Sequence, residues 1–310
     1  MSSVVLDKQQ PFVSIVMPTY NRAAFLERCL PPLFQQSYPA DRYEVILVDD
    51  GSTDDTADRA DRIAQPWADR FRRIRQTNGG PASARNTGFR ASSAVVIAFI
   101  DSDCIASVSW LSEMVGALMA NRAAGVGGIV RGVASDGWVS RYIDVTGLMR
   151  QRVKNGRVDY LITANTVFLR EALVNIGGFD DRFRLPGGDD VDLCFRLQKA
   201  GETLIAIDAG TVQHYHRQTV GSLAHMFFRY GQGSYTFSSN WQNRRPPAVE
   251  LIRHTGAFVL APWLALSHIR RAGVSLGWLF VFWPLTMVEH GAFTLGYLTG
   301  IMAKYSTGSR

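Results

Sequence analysis

Cysteine is scarce in this chain: the three present in 310 residues, Cys29, Cys104 and Cys194, are odd in number and widely spaced. That excludes a disulfide framework and a cysteine-built zinc site, and leaves three buried thiols in a reducing compartment. Nor is a secretory leader expected. Met1–Gln10 has neither a basic nor an apolar region, so residues 1–216 are expected on the cytoplasmic side. No glycine-rich turn follows the first apolar strand pattern, where Pro18-Thr19-Tyr20-Asn21-Arg22 stands instead. This excludes the dinucleotide-binding fingerprint of a dehydrogenase. Internal repeats and low-complexity segments are absent, and acids almost vanish from the C-terminal part. From Arg217 onward nine Lys or Arg face two acids, Glu250 and Glu289, whereas 24 basic and 25 acidic residues precede it. The formal charge of +6 is therefore a property of the tail. A basic, apolar tail suits anionic lipid, and nucleic acid is not an expected partner.

What is present is long enough to bury a large core. Phe12–Met17 is an apolar run stopped by Pro18, and Leu26, Cys29, Leu30, Leu33 and Phe34 then share one helical face. Val45–Val48 reads as a second buried strand, with Ser52 or Thr53 as N-cap of a helix through Ala64. Phe71–Gln76 is a third strand; Gly80-Pro81 opens the next helix with proline at its favoured first position; Ala94–Ile100 is a fourth strand. Beyond the helix Trp110–Asn121, the glycine-rich stretch 125–137 blurs the pattern. It resumes with a strand over Thr163–Leu169, a helix over Asp189–Ala200 and a last strand over Thr203–Ile207. Such alternation predicts an α/β fold with a mostly parallel sheet flanked by helices.

In an open parallel sheet, ligands bind beyond the carboxyl ends of the strands. Three strands here end in polar groups: Pro18-Thr19-Tyr20-Asn21, Asp49-Asp50-Gly51-Ser52 and Asp101-Ser102-Asp103. Asp and Ser also cap helices, so one such end says little. Three in register are hard to ascribe to capping. Two carboxylates one residue apart repel unless a cation sits near them, and Mg²⁺ takes few protein carboxylates together with phosphate oxygens. That suits a nucleotide-diphosphate substrate.

At these residues the chain resembles the family 2 glycosyltransferases of GT-A fold. The resemblance is carried, in order, by Pro18–Arg22, Val48–Asp54, Asn78–Asn86, Asp101-Ser102-Asp103, Gly177-Gly178-Phe179-Asp180 and Gly188–Leu193. It implies an inverting transfer from a nucleotide-diphosphate sugar, a UDP-sugar in the first instance, to an acceptor hydroxyl; the tail alone points to an acceptor glycan or lipid-linked acceptor at a membrane. The resemblance also implies a general base in the Asp189-Asp190 motif, where the family more often shows Glu-Asp; the second position, Asp190, is chosen for that role. Backbone N–H groups at a helix start would favour its ionised form. Asp192, one turn into the helix, reads as structural. The donor site implied is Pro18, Thr19, Tyr20, Arg22, Asp49, Arg85, Asp101 and Ser102, with Arg85 near the base or phosphates. Asp103 would meet Mg²⁺ or Mn²⁺ together with His214 of Val212-Gln213-His214. In an extended segment His216 would point the same way as His214, so both stay candidates.

Two domains are expected, a GT-A catalytic domain over residues 1–216 and a basic, apolar helical region over 217–310. The latter carries two segments, His254–Ile269 and Ala272–Ala303. Sixteen residues of helix reach about 24 Å, short of the roughly 30 Å hydrocarbon core, so the first is expected to lie in the membrane interface. The second is expected to span or re-enter, although Glu289-His290 opposes a plain lipid-facing span. Two rival functions remain at this point: a sugar nucleotidyltransferase, and a non-catalytic membrane-associated subunit that keeps the fold.

Overall fold

The order of elements follows from where apolar runs meet glycine, proline and acidic stops. A computed structural model describes residues 10–133, 137–154, 157–241 and 247–307. The first half alternates strand and helix: β1 (Val13–Thr19), α1 (Ala23–Cys29), β2 (Tyr43–Asp49), α2 (Thr56–Ala64), β3 (Phe71–Arg75), α3 (Pro81–Ala91), β4 (Val96–Ile100), β5 (Cys104–Ala106) and α4 (Trp110–Ala120). Short elements follow: β6 (Gly125–Gly127), β7 (Val130–Gly132), α5 (Trp138–Thr146), β8 (Arg152–Lys154), β9 (Arg157–Tyr160), β10 (Asn165–Leu169), α6 (Arg170–Asn175), α7 (Asp189–Lys199), β11 (Leu204–Ala206) and β12 (Val212–His214). Four helices complete the chain: α8 (Val220–Asn240), α9 (Pro247–Val259), α10 (Ala261–Ala272) and α11 (Leu279–Thr307).

The main sheet has seven strands in the order β11-β6-β10-β4-β1-β2-β3. β4, β1, β2 and β3 run parallel, and β10 is antiparallel to both β4 and β6. The architecture is thus mixed α/β, with antiparallel pairing introduced by one strand. β1 and β2 are in register so that Thr19 pairs with Asp49, which brings the first two polar strand ends side by side. Both faces of the sheet are covered. Ile15, Met17, Val45, Leu47, Ala98 and Ile100 pack into one apolar cluster, and Val16, Ile46, Val48, Ile97 and Phe99 into the other. Alternation of side chains along a strand divides the runs between the two faces.

Two local expectations change. Leu26, Cys29, Leu30, Leu33 and Phe34 are all buried, but on a short helix followed by a single tight turn over Pro31–Phe34, because proline cannot supply the backbone hydrogen bonds of a continuing helix. Ser52 does not cap α2, whose N-cap is Asp55. Its Oγ instead accepts from the Asn21 N–H at 2.9 Å, and Asn21 Oδ1 accepts from the Thr53 N–H at 2.8 Å. The loops after β1 and β2 are thereby clamped together.

The C-terminal helices form a third core rather than a free appendage. Val139, Tyr142 and Ile143 of α5 pack with Leu223 and Phe227 of α8, Ala265 and Ile269 of α10, and Phe282, Leu285, Phe293 and Tyr297 of α11. α11, which contains residues expected to span or re-enter a membrane, carries Pro284 within its first turns. Its Glu289 accepts a hydrogen bond from the Tyr142 hydroxyl. Burial raises that carboxyl's pKa to about 7, against the pull of this bond and of Arg152. No helix among the described residues is long and apolar enough to cross a membrane.

Candidate active site

Four polar segments converge at the carboxyl ends of β1, β2 and β4. Pro18, Thr19 and Tyr20 close β1; Thr19 is buried while Tyr20 is 45 % exposed. The Thr19 hydroxyl oxygen has no hydrogen-bond partner, and neither has Oδ2 of fully buried Asp49. Oδ1 of Asp49 accepts from the Ser52 N–H at 2.9 Å. Buried polar atoms are nearly always hydrogen-bonded, so these two on adjacent strand ends, with Arg75 Nε 3.7 Å from the Asp49 oxygen, offer a surface suited to a polar ligand. Asp50, in contrast, has its carboxylate taken up by the next loop. It accepts from the Gly79 and Gly80 N–H groups at 2.8 and 2.9 Å and from the Gln76 amide at 2.7 Å. Gly80 adopts φ +89° with a would-be Cβ 2.1 Å from the Arg184 carbonyl oxygen, so only glycine fits this junction.

Arg85 joins two distant acidic motifs. It lies on α3, buried, and its guanidinium donates to Asp101 and to Asp189 at 2.8 Å each. The fork expected to face the donor is thus occupied by the protein's own carboxylates, with Nε left unpaired. Asn86 beside it fixes the loop before α7, since its amide donates to the Phe179 carbonyl and accepts from the Phe179 N–H, both at 2.8 Å. α7 then begins with Asp189 and Asp190. Asp189 is held by Arg85 and by the Gly187 N–H at 3.2 Å. Asp190 accepts from the Val191 N–H at 2.9 Å. Burial, reinforced by the Asp189 charge, pushes the Asp190 carboxyl up to about 7, with Arg85 and the Val191 N–H opposing. The expectation that the helix start would favour the ionised form is corrected in this respect: desolvation and a like charge outweigh the helix terminus. Asp192 is structural, bonded to Arg196 and to the Trp241 indole at 2.7 Å each.

A small second sheet, β5-β12-β7, builds the other side of the site. β12 is antiparallel to β5, pairing His214 with Cys104, and so brings His214 Nε2 within 3.4 Å of Asp103 Oδ1. Arg22 Nε lies 3.9 Å from the other Asp103 oxygen, while Ser102 is buried in the turn between Asp101 and Asp103. Asp103, Cys104 and His214 can bring ligand atoms within 4.8 Å of one another. Burial holds the His214 imidazole below its usual value, against the pull of Asp103, and raises the Cys104 thiol well above its own. A neutral imidazole nitrogen beside a carboxylate oxygen suits Mg²⁺ or Mn²⁺ completed by phosphate oxygens; a buried, protonated thiol does not. Of the two histidines, His214 faces Asp103, whereas His216 Nε2 is turned to Asp144 at 3.0 Å.

Residues that the motifs did not reveal also border the site. Asp144 of α5 falls in the region where the sequence pattern blurs. Tyr230 of α8 has its ring against Gly187, and its hydroxyl is raised first by burial and then by the Asp190 charge. Only spacing along α8 could have pointed to it. A polar cleft lined by Phe12, Tyr43, Glu44, Arg70 and Arg72 opens at the amino ends of β1–β3, away from these carboxylates.

Comparison with known proteins places this geometry. The model described as "Glycosyl transferase family 2" matches residues 14–177, and that described as "Glycosyl transferase family group 2" matches residues 96–295. Glycosyltransferase AglE of Haloferax volcanii is 30% identical over 262 residues, 84% of this chain and 82% of that protein. The pre-mycofactocin glycosyltransferase of Mycobacterium tuberculosis is 32% identical over 218 residues, 66% of this chain and 43% of its own length. Among solved structures, a mannosyltransferase from Pyrobaculum calidifontis in complex with GDP-Man and Mn²⁺ superposes with a TM-score of 0.65 at 21% identity, covering 96% of this chain and 89% of that one. At that identity the likeness is one of fold.

Proposed function

We propose, from the premise that this chain belongs to glycosyl transferase family 2 and is a nucleotide-sugar glycosyltransferase, that it performs a metal-dependent inverting transfer to a hydroxyl of a lipid-linked or cell-envelope glycan acceptor. The observation that carries the reading is Arg85, which ties the Asp101 strand end to the Asp189 helix start at 2.8 Å each and so brings the two motifs together. In this reading Thr19, Tyr20 and Asp49 meet the base and ribose, with Pro18 shaping the strand end. Asp101 and Ser102 seat the ribose or sugar, Arg22 faces the phosphates, and Arg85 positions Asp101 and Asp189. Asp103 and His214 hold Mg²⁺ or Mn²⁺, which when bound stabilises the charge of the departing diphosphate. Asp190 takes the proton of the acceptor hydroxyl as that oxygen attacks the anomeric carbon. A donor-hydrolysis assay across UDP- and GDP-sugars with Mn²⁺ tests the whole reading. Turnover of none of them would overturn it; release of pyrophosphate from a nucleoside triphosphate and a sugar phosphate would point to the rival nucleotidyltransferase.

Because the base must be ionised and its carboxyl sits at about 7, kcat is expected to fall with acidification, about tenfold per pH unit below that value, and to level off above it. A flat profile between about pH 5 and 8 in a kcat measurement would remove Asp190 from this role.

Residues 217–310 are proposed to dock the enzyme on the cytoplasmic membrane face by lying in the interface. Ile252, Val259, Leu260, Trp263, Phe280 and Met302 are each at least half exposed, and Arg253, Arg270 and Arg271 are exposed beside them. Exposed apolar side chains on amphipathic helices with nearby arginines suit anionic headgroups. Each buried large side chain is worth about 1.5–3 kcal/mol. The double substitution Trp263→Glu/Phe280→Glu should therefore weaken sedimentation with anionic vesicles by at least about tenfold. Unchanged vesicle binding, or a wild-type chain that ignores vesicles, would defeat the membrane reading.

A further inference from the structure

Behind His214 lies a chain of polar groups to which the transfer described above assigns no part. His214 Nδ1 is 2.8 Å from His216 Nδ1, and His216 Nε2 is 3.0 Å from Asp144 Oδ1. The His216 side chain is 1% exposed, so water has little access to its ring nitrogens, while Asp144 joins the chain from a half-exposed position. An ionised carboxylate only accepts, so the Nε2 of His216 carries hydrogen. A neutral His216 then offers its lone pair at Nδ1, and His214 must donate to it from its own Nδ1. What remains on His214 is a bare Nε2, and this atom lies 3.4 Å from Asp103 Oδ1. Two lone-pair atoms facing each other in a buried site repel, and a cation between them relieves the repulsion. Gly132 seals the chain from the side. Its N–H donates to Asp144 Oδ1 at 2.9 Å, and a Cβ there would lie 2.4 Å from Asp144 Oδ2 and 2.8 Å from His216 Cδ2.

We infer that Asp144 and His216 are positioning residues that fix the His214 proton on Nδ1 and so present its Nε2 lone pair, together with Asp103, to the divalent metal. This rests on the metal-dependent reading of the same site. Neither residue belongs to the acidic motifs, and neither touches the reacting atoms. Reversing the chain, so that His216 donates from Nδ1, would put the hydrogen on His214 Nε2 and remove the ligand. Asp144→Asn invites that reversal, because an amide N–H can donate to His216 Nε2 where a carboxylate cannot.

The test titrates Mn²⁺ into the full chain in the presence of a nucleoside diphosphate, reading free Mn²⁺ by electron paramagnetic resonance. Asp144→Asn and His216→Phe should each bind Mn²⁺ about 10–100-fold more weakly than wild type. A second measurement needs no variant: nitrogen-15 NMR of histidine-labelled wild type at about pH 8, where neutral imidazoles dominate, should show hydrogen on Nδ1 of His214 and on Nε2 of His216. Mn²⁺ affinity within about twofold of wild type in both variants overturns the inference, and so does hydrogen on Nε2 of His214. Should the variants fail to fold, the NMR result decides alone. If wild type itself binds no Mn²⁺, the metal reading falls and this inference with it; wild-type binding that survives in the variants removes this inference only.

Discussion

Asp190→Asn is expected to lower kcat by about 10²–10⁴-fold, the usual cost of removing a general base, while donor affinity stays near that of wild type. The amide keeps the shape of the carboxyl and its bond from the Val191 N–H, but it cannot take the acceptor's proton. Asp190 rather than Asp189 is the proposed base because Asp189 is engaged by Arg85 at 2.8 Å and by the Gly187 N–H. A carboxylate held that way orients its surroundings. Asp190 has no such cation on it, and burial has brought its carboxyl to about 7, where a base is both ionised and basic enough to accept a proton. Single-turnover measurements with bound donor read the chemical step directly. Wild-type rates in Asp190→Asn, or a collapse in Asp189→Asn with Asp190→Asn active, would reverse the assignment.

Asp103→Ala should be as damaging by another route. Without its carboxylate, His214 is the single remaining nitrogen or oxygen donor of the cluster with Cys104, and a hard divalent ion gains little from a buried thiol. Metal stabilisation of a leaving diphosphate is worth several kcal/mol, so transfer should fall by about 10³-fold. Mn²⁺-dependent donor binding should be lost in parallel. Cys104→Ala tests the choice of ligands from the other side, with Mn²⁺ affinity expected within a few-fold of wild type. Calorimetry of Mn²⁺ and nucleoside diphosphate binding distinguishes these outcomes. Undiminished metal-dependent binding in Asp103→Ala would place the metal elsewhere.

The sequence by itself determined the parts whose signal is local. Apolar runs ending at Pro18, Asp49 and Asp101 fixed which strands are buried and which of their ends bear chemistry, because a strand buried on both faces must be apolar until it leaves the sheet. The order of six short motifs identified the family, and the excess of arginine over acid marked the tail. Contacts between residues far apart in sequence were decided only by tertiary structure. Nothing local says that Arg85 will be shared between Asp101 and Asp189, 16 and 104 residues away, or that Asp50 will be consumed by the Gly79-Gly80 loop while Asp49 keeps an oxygen without a hydrogen bond, 3.7 Å from Arg75 Nε. His214 and His216 look alike on an extended strand. They part company because β12 pairs with β5 on one side and α5 delivers Asp144 on the other. The apolar tail was legible as apolar, but its division between a face packed on α5 and a face left to solvent depends on helix-helix packing. Spacing within a single helix sets a stripe; the partner that covers it comes from elsewhere in the chain.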